Sequence, residues 1–197
     1  MSQPPINIYL ESNPNPNSLK FVANVMLIAP GENYDFPDAL SARQAPLAQA
    51  LFQFPFVSRV FYMSNFITVT KIEAVAWADV QDELKDFIRE YIESGKPLFT
   101  EVYGENNKPD STVDEEDQKE TEMDIKIRGL LDEYIKPAVE QDGGAIQFQS
   151  YNDGIVKVQL QGSCSGCPSS MVTLKAGIEN LLRTMIPEIK AVEAEEM

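Results

Sequence analysis

The second half of the chain contains the stretch that decides its fold, AIQFQSYNDGIVKVQLQGSCSGCPSSMVTLKAGIENLLRTM (residues 145–185). The tripeptide Asn-Asp-Gly at 152–154 is a strong signal for a tight hairpin turn, and apolar and polar residues alternate after it. This pattern predicts antiparallel strands at 145–151 and 155–161. Beyond them, apolar residues recur at helical spacing, which predicts a helix over 168–185.

The residues on either side of this stretch complete a small unit. Helical spacing of apolar residues predicts a helix over 127–138, and the glycine pair at 143–144 ends it. A last strand is predicted at 189–193, after Pro187. Two helices and a small sheet are sufficient to bury one shared apolar core.

The first half of the chain shows similar signals and carries most of the aromatic residues. Proline and asparagine in ESNPNPNS (11–18) exclude a helix and favour turns. Ser64-Asn65 forms a tight hairpin link, and Trp77 begins an apolar helical stripe that places it in the core. The predicted elements are strands at 18–22, 25–28, 57–63 and 66–71, and helices at 46–52 and 77–91.

An acidic, polar stretch separates the two halves. Residues 95–121 include glycine, proline and the acidic run at 114–117, and they hold too little apolar surface to order themselves. We interpret them as a flexible acidic linker, with an acidic docking segment as the alternative. The predicted fold is therefore α+β, with two small domains at 6–94 and 122–197, each a mainly antiparallel sheet with packed helices.

Charge and composition exclude several classes of function. The formal net charge is −15, whereas binding to nucleic acid or anionic membranes requires clustered lysine and arginine. The acidity is interpreted as an aid to solubility. The first ten residues lack a basic stretch followed by an apolar run, and no apolar segment approaches the ~20 residues of a membrane span. We therefore expect a cytoplasmic protein without nucleic-acid or membrane partners.

The absence of histidine limits the chemistry further. The chain has two cysteines and no histidine, which excludes Ser-His-Asp and Cys-His catalysis and every histidine-ligated metal site. Two cysteines do not form a disulfide framework, and a close pair in a reducing compartment indicates a metal or redox site. Chemistry with a soft metal must therefore use Cys164 and Cys167.

The cysteine pair lies where a strand gives way to a helix. Pro168 suits the first helical position, which makes Cys167 the predicted N-cap. The free N–H groups of the first turn and the positive end of the helix dipole favour a thiolate, and Lys175 adds to that field. Flanking glycines leave room for a bulky group beside the sulfurs. We therefore predict exposed, activated thiolates at Cys164 and Cys167.

Four interpretations of this motif remain open on the residues alone. They are an iron–sulfur cluster site, a structural zinc site, a thioredoxin-like redox pair and a pair of inert thiols. A cluster usually takes four cysteines, so two per chain require a second chain or small thiols to complete the ligand set. A symmetric dimer with the cluster on its axis satisfies the count. A cluster at a surface between subunits suits delivery better than electron transfer.

Both halves of the chain resemble the NifU-like (Nfu) family. The residues that carry the resemblance in the second half are DGG (142–144), CSGCPSS (164–170), TLKAGIE (173–179) and Pro187-Glu188. Those in the first half are NPNPNSLKF (13–21), PLA (46–48), Leu51-Phe52 and FITVTK (66–71). Together they cover nearly the whole chain outside the acidic stretch.

The resemblance implies a non-enzymatic iron–sulfur cluster assembly factor. Such a protein receives a [4Fe-4S] cluster, with [2Fe-2S] as the alternative, from an upstream scaffold and passes it to client apoproteins. The implied ligands are Cys164 and Cys167 of two chains, which form a homodimer through the cluster. The first domain is expected to be a docking module. A thiol–disulfide oxidoreductase and an interaction protein with a structural zinc bridge are the alternative functions.

Overall fold

A computed structural model describes residues 5–100, 121–165 and 168–196, with side chains at 168–171 and 196 excepted. The chain divides into two compact units, Met1–Ser111 and Thr112–Met197. Each unit combines a small sheet with helices, so the predicted α+β fold class is confirmed.

The first unit contains an antiparallel sheet of five strands with the order β1-β2-β5-β4-β3. Its elements are β1 (Ile8–Ser12), β2 (Ser18–Ala23), β3 (Asn33–Phe36), α1 (Pro46–Leu51), β4 (Val57–Met63), β5 (Phe66–Lys71) and α2 (Trp77–Glu93). The predicted strands β4 and β5 have the expected bounds, and Ser64 takes the positive φ of 49° that their tight turn needs.

The core of this unit lies between one face of the sheet and the two helices. Alternate residues of the central strands, such as Phe21 and Ile67, share one apolar cluster with Leu84 and Ile88 of α2. Trp77 packs edge-on against Phe21 with ring centroids 6.3 Å apart, as its place in the helical stripe predicted. Burial of these side chains is what holds the helices on the sheet.

The asparagine- and proline-rich segment between β1 and β2 is a chain of turns, as predicted. The Asn13 side-chain carbonyl accepts from the Asn15 N–H at 3.1 Å, and that of Asn15 accepts from the Asn17 N–H at 2.9 Å. The Trp77 indole N–H donates to the Pro16 carbonyl at 3.1 Å. The segment is therefore turn chemistry that anchors the start of α2.

The strand predicted at 25–28 is wrong. The N–H groups of Leu27 and Ile28 both donate to the Ser64 carbonyl at 2.8 Å, so this segment caps the β4–β5 turn instead of joining a ladder. Two strands were not predicted from the sequence, namely β1 and β3, which are the edges of the sheet. Edge strands are short and partly polar, so their sequence pattern is weak.

The packed part of the first unit continues beyond residue 94, where the linker was predicted to begin. Leu98 and Phe99 pack against its apolar cluster, with the Phe99 ring centroid 4.4 Å from that of Tyr34. The Thr100 N–H donates to the Gln44 carbonyl at 2.9 Å. The acidic remainder of the predicted linker, residues 101–120, lies outside the described residues.

The second unit contains a mixed sheet of three strands with the order β6-β7-β8. Its elements are α3 (Glu122–Leu130), a π-helical segment (Leu131–Ile135), α4 (Lys136–Gln141), β6 (Gly144–Asn152), β7 (Ile155–Gly162), α5 (Pro168–Met185) and β8 (Ala191–Glu196). The strand predicted at 189–193 begins two residues later, at Ala191. It runs parallel to β7, because α5 is a crossover that returns the chain in the same direction.

The helical region before β6 is longer than the predicted 127–138. Thr121 and Asp124 form a capping box that starts α3 ahead of the apolar stripe. The π-helical segment lies just before Pro137, which has no N–H to donate and crowds the preceding turn. Gly143 has a φ of 79° and ends the region at the predicted glycine pair.

Substitution of Arg59 tests the main buried charge of the first unit. Arg59 Nε and Nη2 donate to the Asp35 carboxylate at 2.8 and 2.5 Å, and the Asp35 side chain is 0% exposed. Because Arg59→Ala removes a bidentate partner from a buried carboxylate, we expect the free energy of unfolding to fall by about 3 kcal/mol. Urea unfolding followed by fluorescence of Trp77, the single tryptophan, measures it.

The matched control is Arg89→Ala. Arg89 pairs with Asp86 at 3.0 Å, but their side chains are 37% and 56% exposed. Its loss should cost about 0.5 kcal/mol or less. Equal losses for the two variants would contradict a special role for the Arg59–Asp35 pair.

Candidate metal-binding loop

Cys164 lies in the connection between β7 and α5, here called the cysteine loop (residues 163–167). β7 ends at Gly162, whose φ of 66° turns the chain out of the sheet, and α5 begins at Pro168 as predicted. Cys167 lies outside the described residues, and so does its predicted role as N-cap. Lys175 is exposed on α5.

The Cys164 side chain points into the domain. The residue is 6% exposed and belongs to the apolar cluster that includes Ile127, Ile146 and Leu160. The prediction of an exposed thiolate is therefore wrong for Cys164. The inward alternation that buries Val158 and Leu160 of β7 continues into the loop, so the turn carries the sulfur over the core rather than away from it.

Gly144, the first residue of β6, makes this position of the sulfur possible. A Cβ on Gly144 would lie 2.6 Å from the Gln161 carbonyl oxygen and 3.0 Å from Cys164 Sγ. Both distances are shorter than ordinary van der Waals contacts, and the first involves backbone. Glycine is therefore required here by close approach.

Two buried serines flank Cys164 and tie the loop to the backbone. Ser163 donates its N–H to the Gly143 carbonyl at 3.3 Å and its hydroxyl to the Asp142 carbonyl. Ser165 donates its hydroxyl to the Leu160 carbonyl at 2.7 Å. Sequence reasoning did not assign a role to either serine. The available signal was a hydroxyl residue on each side of a cysteine in a glycine-rich turn, which favours side-chain bonds to the backbone.

The donor set of one chain is small. Among residues 5–100, 121–165 and 168–196, no group of three or more histidine, cysteine or acidic residues could hold a metal ion. The chain as a whole offers two cysteines and no histidine. A soft metal at the cysteine loop must therefore take further ligands from outside a single chain.

The helices in the described ranges are all too short or too polar to cross a membrane. This finding agrees with the hydropathy of the sequence.

Comparison with known families matches both units. The family model described as "Scaffold protein Nfu/NifU N terminal" matches residues 8–95, and that described as "NifU-like domain" matches residues 127–193. The two models occur in the order that the resemblance in the sequence indicated.

Curated relatives match almost the whole chain. The protein named "NFU1 iron-sulfur cluster scaffold homolog, mitochondrial" from Drosophila willistoni is 43% identical over 186 residues, which are 94% of this chain and 62% of that protein. Its namesake from Drosophila persimilis is 44% identical over 186 residues, with 94% and 64% covered. The chain thus spans a little over three fifths of the length of these relatives.

A solved structure shows a weaker likeness. The solution NMR structure of a NifU-like protein from Saccharomyces cerevisiae aligns with a TM-score of 0.45 and 23% identity, covering 51% of this chain and 90% of that one. A likeness at this level supports no functional argument, so family membership rests on the family models and the sequence relatives.

The relatives correct the predicted location. They are named mitochondrial and point to mitochondria, so the expectation of a cytoplasmic protein is wrong. The sequence argument rested on a missing secretory signal and reduced cysteines, and neither criterion separates the cytoplasm from other compartments that keep thiols reduced.

Two matching family models in the expected order and relatives at 43% and 44% identity lead to one conclusion. The chain belongs to the NifU-like (Nfu) family, with an Nfu/NifU N-terminal domain followed by a NifU-like domain.

Proposed function

We propose that this protein is an iron–sulfur cluster scaffold that holds a [4Fe-4S] cluster between two copies of the chain and passes it to client apoproteins. The observation that carries the proposal is the cysteine loop of a chain with two cysteines and no histidine. The names of the curated relatives support the same function.

The ligand count supports sharing of the cluster. Clusters of this kind are usually held by four thiolates, and each chain supplies Cys164 and Cys167. Two chains related by a twofold axis complete the set with identical loops. The same count accommodates [2Fe-2S], which is the alternative nuclearity.

The position of the loop supports binding of an anionic cluster. α5 is 18 residues long and begins at Pro168, so the positive end of its dipole lies beside the cysteine loop. A cluster shared between two chains can leave when the chains separate, without unfolding of either one. Neither property requires catalysis, and we assign no enzymatic activity to the chain.

The first domain is proposed to dock client apoproteins or an upstream cluster scaffold. Its asparagine- and proline-rich segment is occupied with its own turn hydrogen bonds and contains no cysteine or histidine. Its role is therefore separate from cluster ligation. The proposed domain organisation remains 6–94 and 122–197 around an acidic linker at 95–121, with Leu98 and Phe99 added to the packed part of the first domain.

The second candidate function is a thiol–disulfide oxidoreductase. One observation favours it, since a C-x-x-C pair between a strand and a helix is the placement of thioredoxin-like redox pairs. The burial of Cys164 argues against it, because a redox thiol must be reached by its substrate.

Reconstitution with iron and sulfide under anaerobic conditions tests the cluster. We expect iron and sulfide to co-elute with a dimer on size-exclusion chromatography, at one cluster per two chains. Cys164→Ser and Cys167→Ser should each abolish this while leaving the far-UV circular dichroism unchanged. The control Met185→Ser removes a sulfur at the exposed far end of α5 and should keep the cluster. A colourless wild-type monomer, or zinc without iron, would refute the cluster proposal.

Removal of the cluster tests whether it holds the dimer. We expect a chelator to bleach the visible absorption and to convert the dimer to monomer in parallel, because the cluster supplies the link between chains. Multi-angle light scattering during the titration gives the mass. A dimer that persists after complete bleaching would show that protein contacts hold it instead.

Insulin reduction with dithiothreitol tests the second candidate. We expect turnover no greater than that of Cys164→Ser, because a buried thiol reacts slowly with a protein disulfide. Strong turnover that disappears in the variant would favour the oxidoreductase.

A further inference from the structure

Ser163 connects the cysteine loop to a distant part of the chain. Its hydroxyl donates to the Asp142 carbonyl, 21 residues earlier, and its N–H donates to the Gly143 carbonyl at 3.3 Å. Both acceptors lie in the turn between α4 and β6. Ser163 is 3% exposed, so these bonds form away from water.

The neighbouring Ser165 makes a different kind of bond. Its hydroxyl donates to the Leu160 carbonyl, five residues earlier, on the strand that leads into the loop. This bond shapes the loop locally but leaves it able to move with the end of β7. Ser163, by contrast, ties the loop to the turn that precedes the neighbouring strand β6.

The tie sets the position of the Cys164 sulfur. Ser163 Oγ lies 3.8 Å from Cys164 Sγ, and the sulfur sits against the open space left by Gly144. The asparagine-like freedom of an exposed loop is absent here, because Ser163, Cys164 and Ser165 are all buried. A sulfur held in this way has one preferred position before any metal arrives.

We propose that Ser163 is a positioning residue for the Cys164 ligand, which it holds in a shielded, preset place through the bond of its hydroxyl to the Asp142 carbonyl. The inference deepens the proposed function and rests on it for the identity of the metal group. Outer partners that orient a ligand commonly affect metal binding as strongly as about 10- to 100-fold.

Alkylation of Cys164 tests the seat without any metal. In the Cys167→Ser background Cys164 is the single cysteine, so its reaction with iodoacetamide can be followed by mass at one fixed pH. We expect Ser163→Ala to speed this reaction about tenfold, which corresponds to about 1.4 kcal/mol less resistance to opening of the loop. An unchanged rate would overturn the proposal.

Two comparisons separate positioning from a general loss of stability. Val192→Ala removes core volume in β8, opposite Val156 and away from the cysteine loop, and should leave the alkylation rate unchanged below the unfolding temperature. The isosteric pair Ser163→Thr and Ser163→Val differs in the hydroxyl, and the threonine variant should react more slowly. This pair decides the matter if the alanine variant does not fold. Equal rates within the pair would overturn the role of the hydroxyl.

Loss of the cluster tests the consequence for the ligand. After reconstitution of the chain with both cysteines present, we expect a chelator to bleach Ser163→Ala about ten times faster than wild type and Val192→Ala. Equal bleaching rates would overturn the role of Ser163 toward the metal. If wild type takes up no iron, the proposed function fails by itself. The alkylation rates then decide whether Ser163 holds the thiol.

Discussion

The close approach of β6 to the end of β7 is the constraint on which the second unit depends. Gly144 lies so near the Gln161 carbonyl that any side chain would collide with backbone. The same approach brings the Asp142 and Gly143 carbonyls within reach of Ser163, and it leaves the space in which the Cys164 sulfur rests. A glycine, a serine and a cysteine from two strands thus form one packed arrangement.

This arrangement explains how a loop can present a metal ligand without being a flexible one. The apolar cluster beneath the sulfur, which includes Ile127 and Leu160, keeps water away from Cys164. Such shielding protects a thiol from oxidation while the helix dipole of α5 favours an anionic group at the surface of the loop. A scaffold needs both properties, because it must wait for its cargo in a reactive form and then release it.

Much of the fold was predictable where one local signal dominates. The hairpin turn at 152–154, the tight link at Ser64-Asn65 and the long amphipathic stripes of α2 and α5 each depend on nearby residues. The edge strands β1 and β3 were missed, because their pairing depends on the partner strand more than on their own pattern. The segment 25–28 was misjudged for the same reason, since its N–H groups are satisfied by Ser64.

The sequence by itself determined that Cys164 and Cys167 are the soft-metal ligands that this chain can offer, because composition excludes histidine sites and allows two thiolates. It also determined the family, since the motifs in both halves occur in the right order. The tertiary structure decided where the described sulfur points. Burial of Cys164 follows from contacts among β6, β7 and the turn at Asp142, which lie about 20 residues apart along the chain. Local patterns carry no information on such contacts, and for that reason the exposed thiolate predicted from the loop became a buried one in the fold.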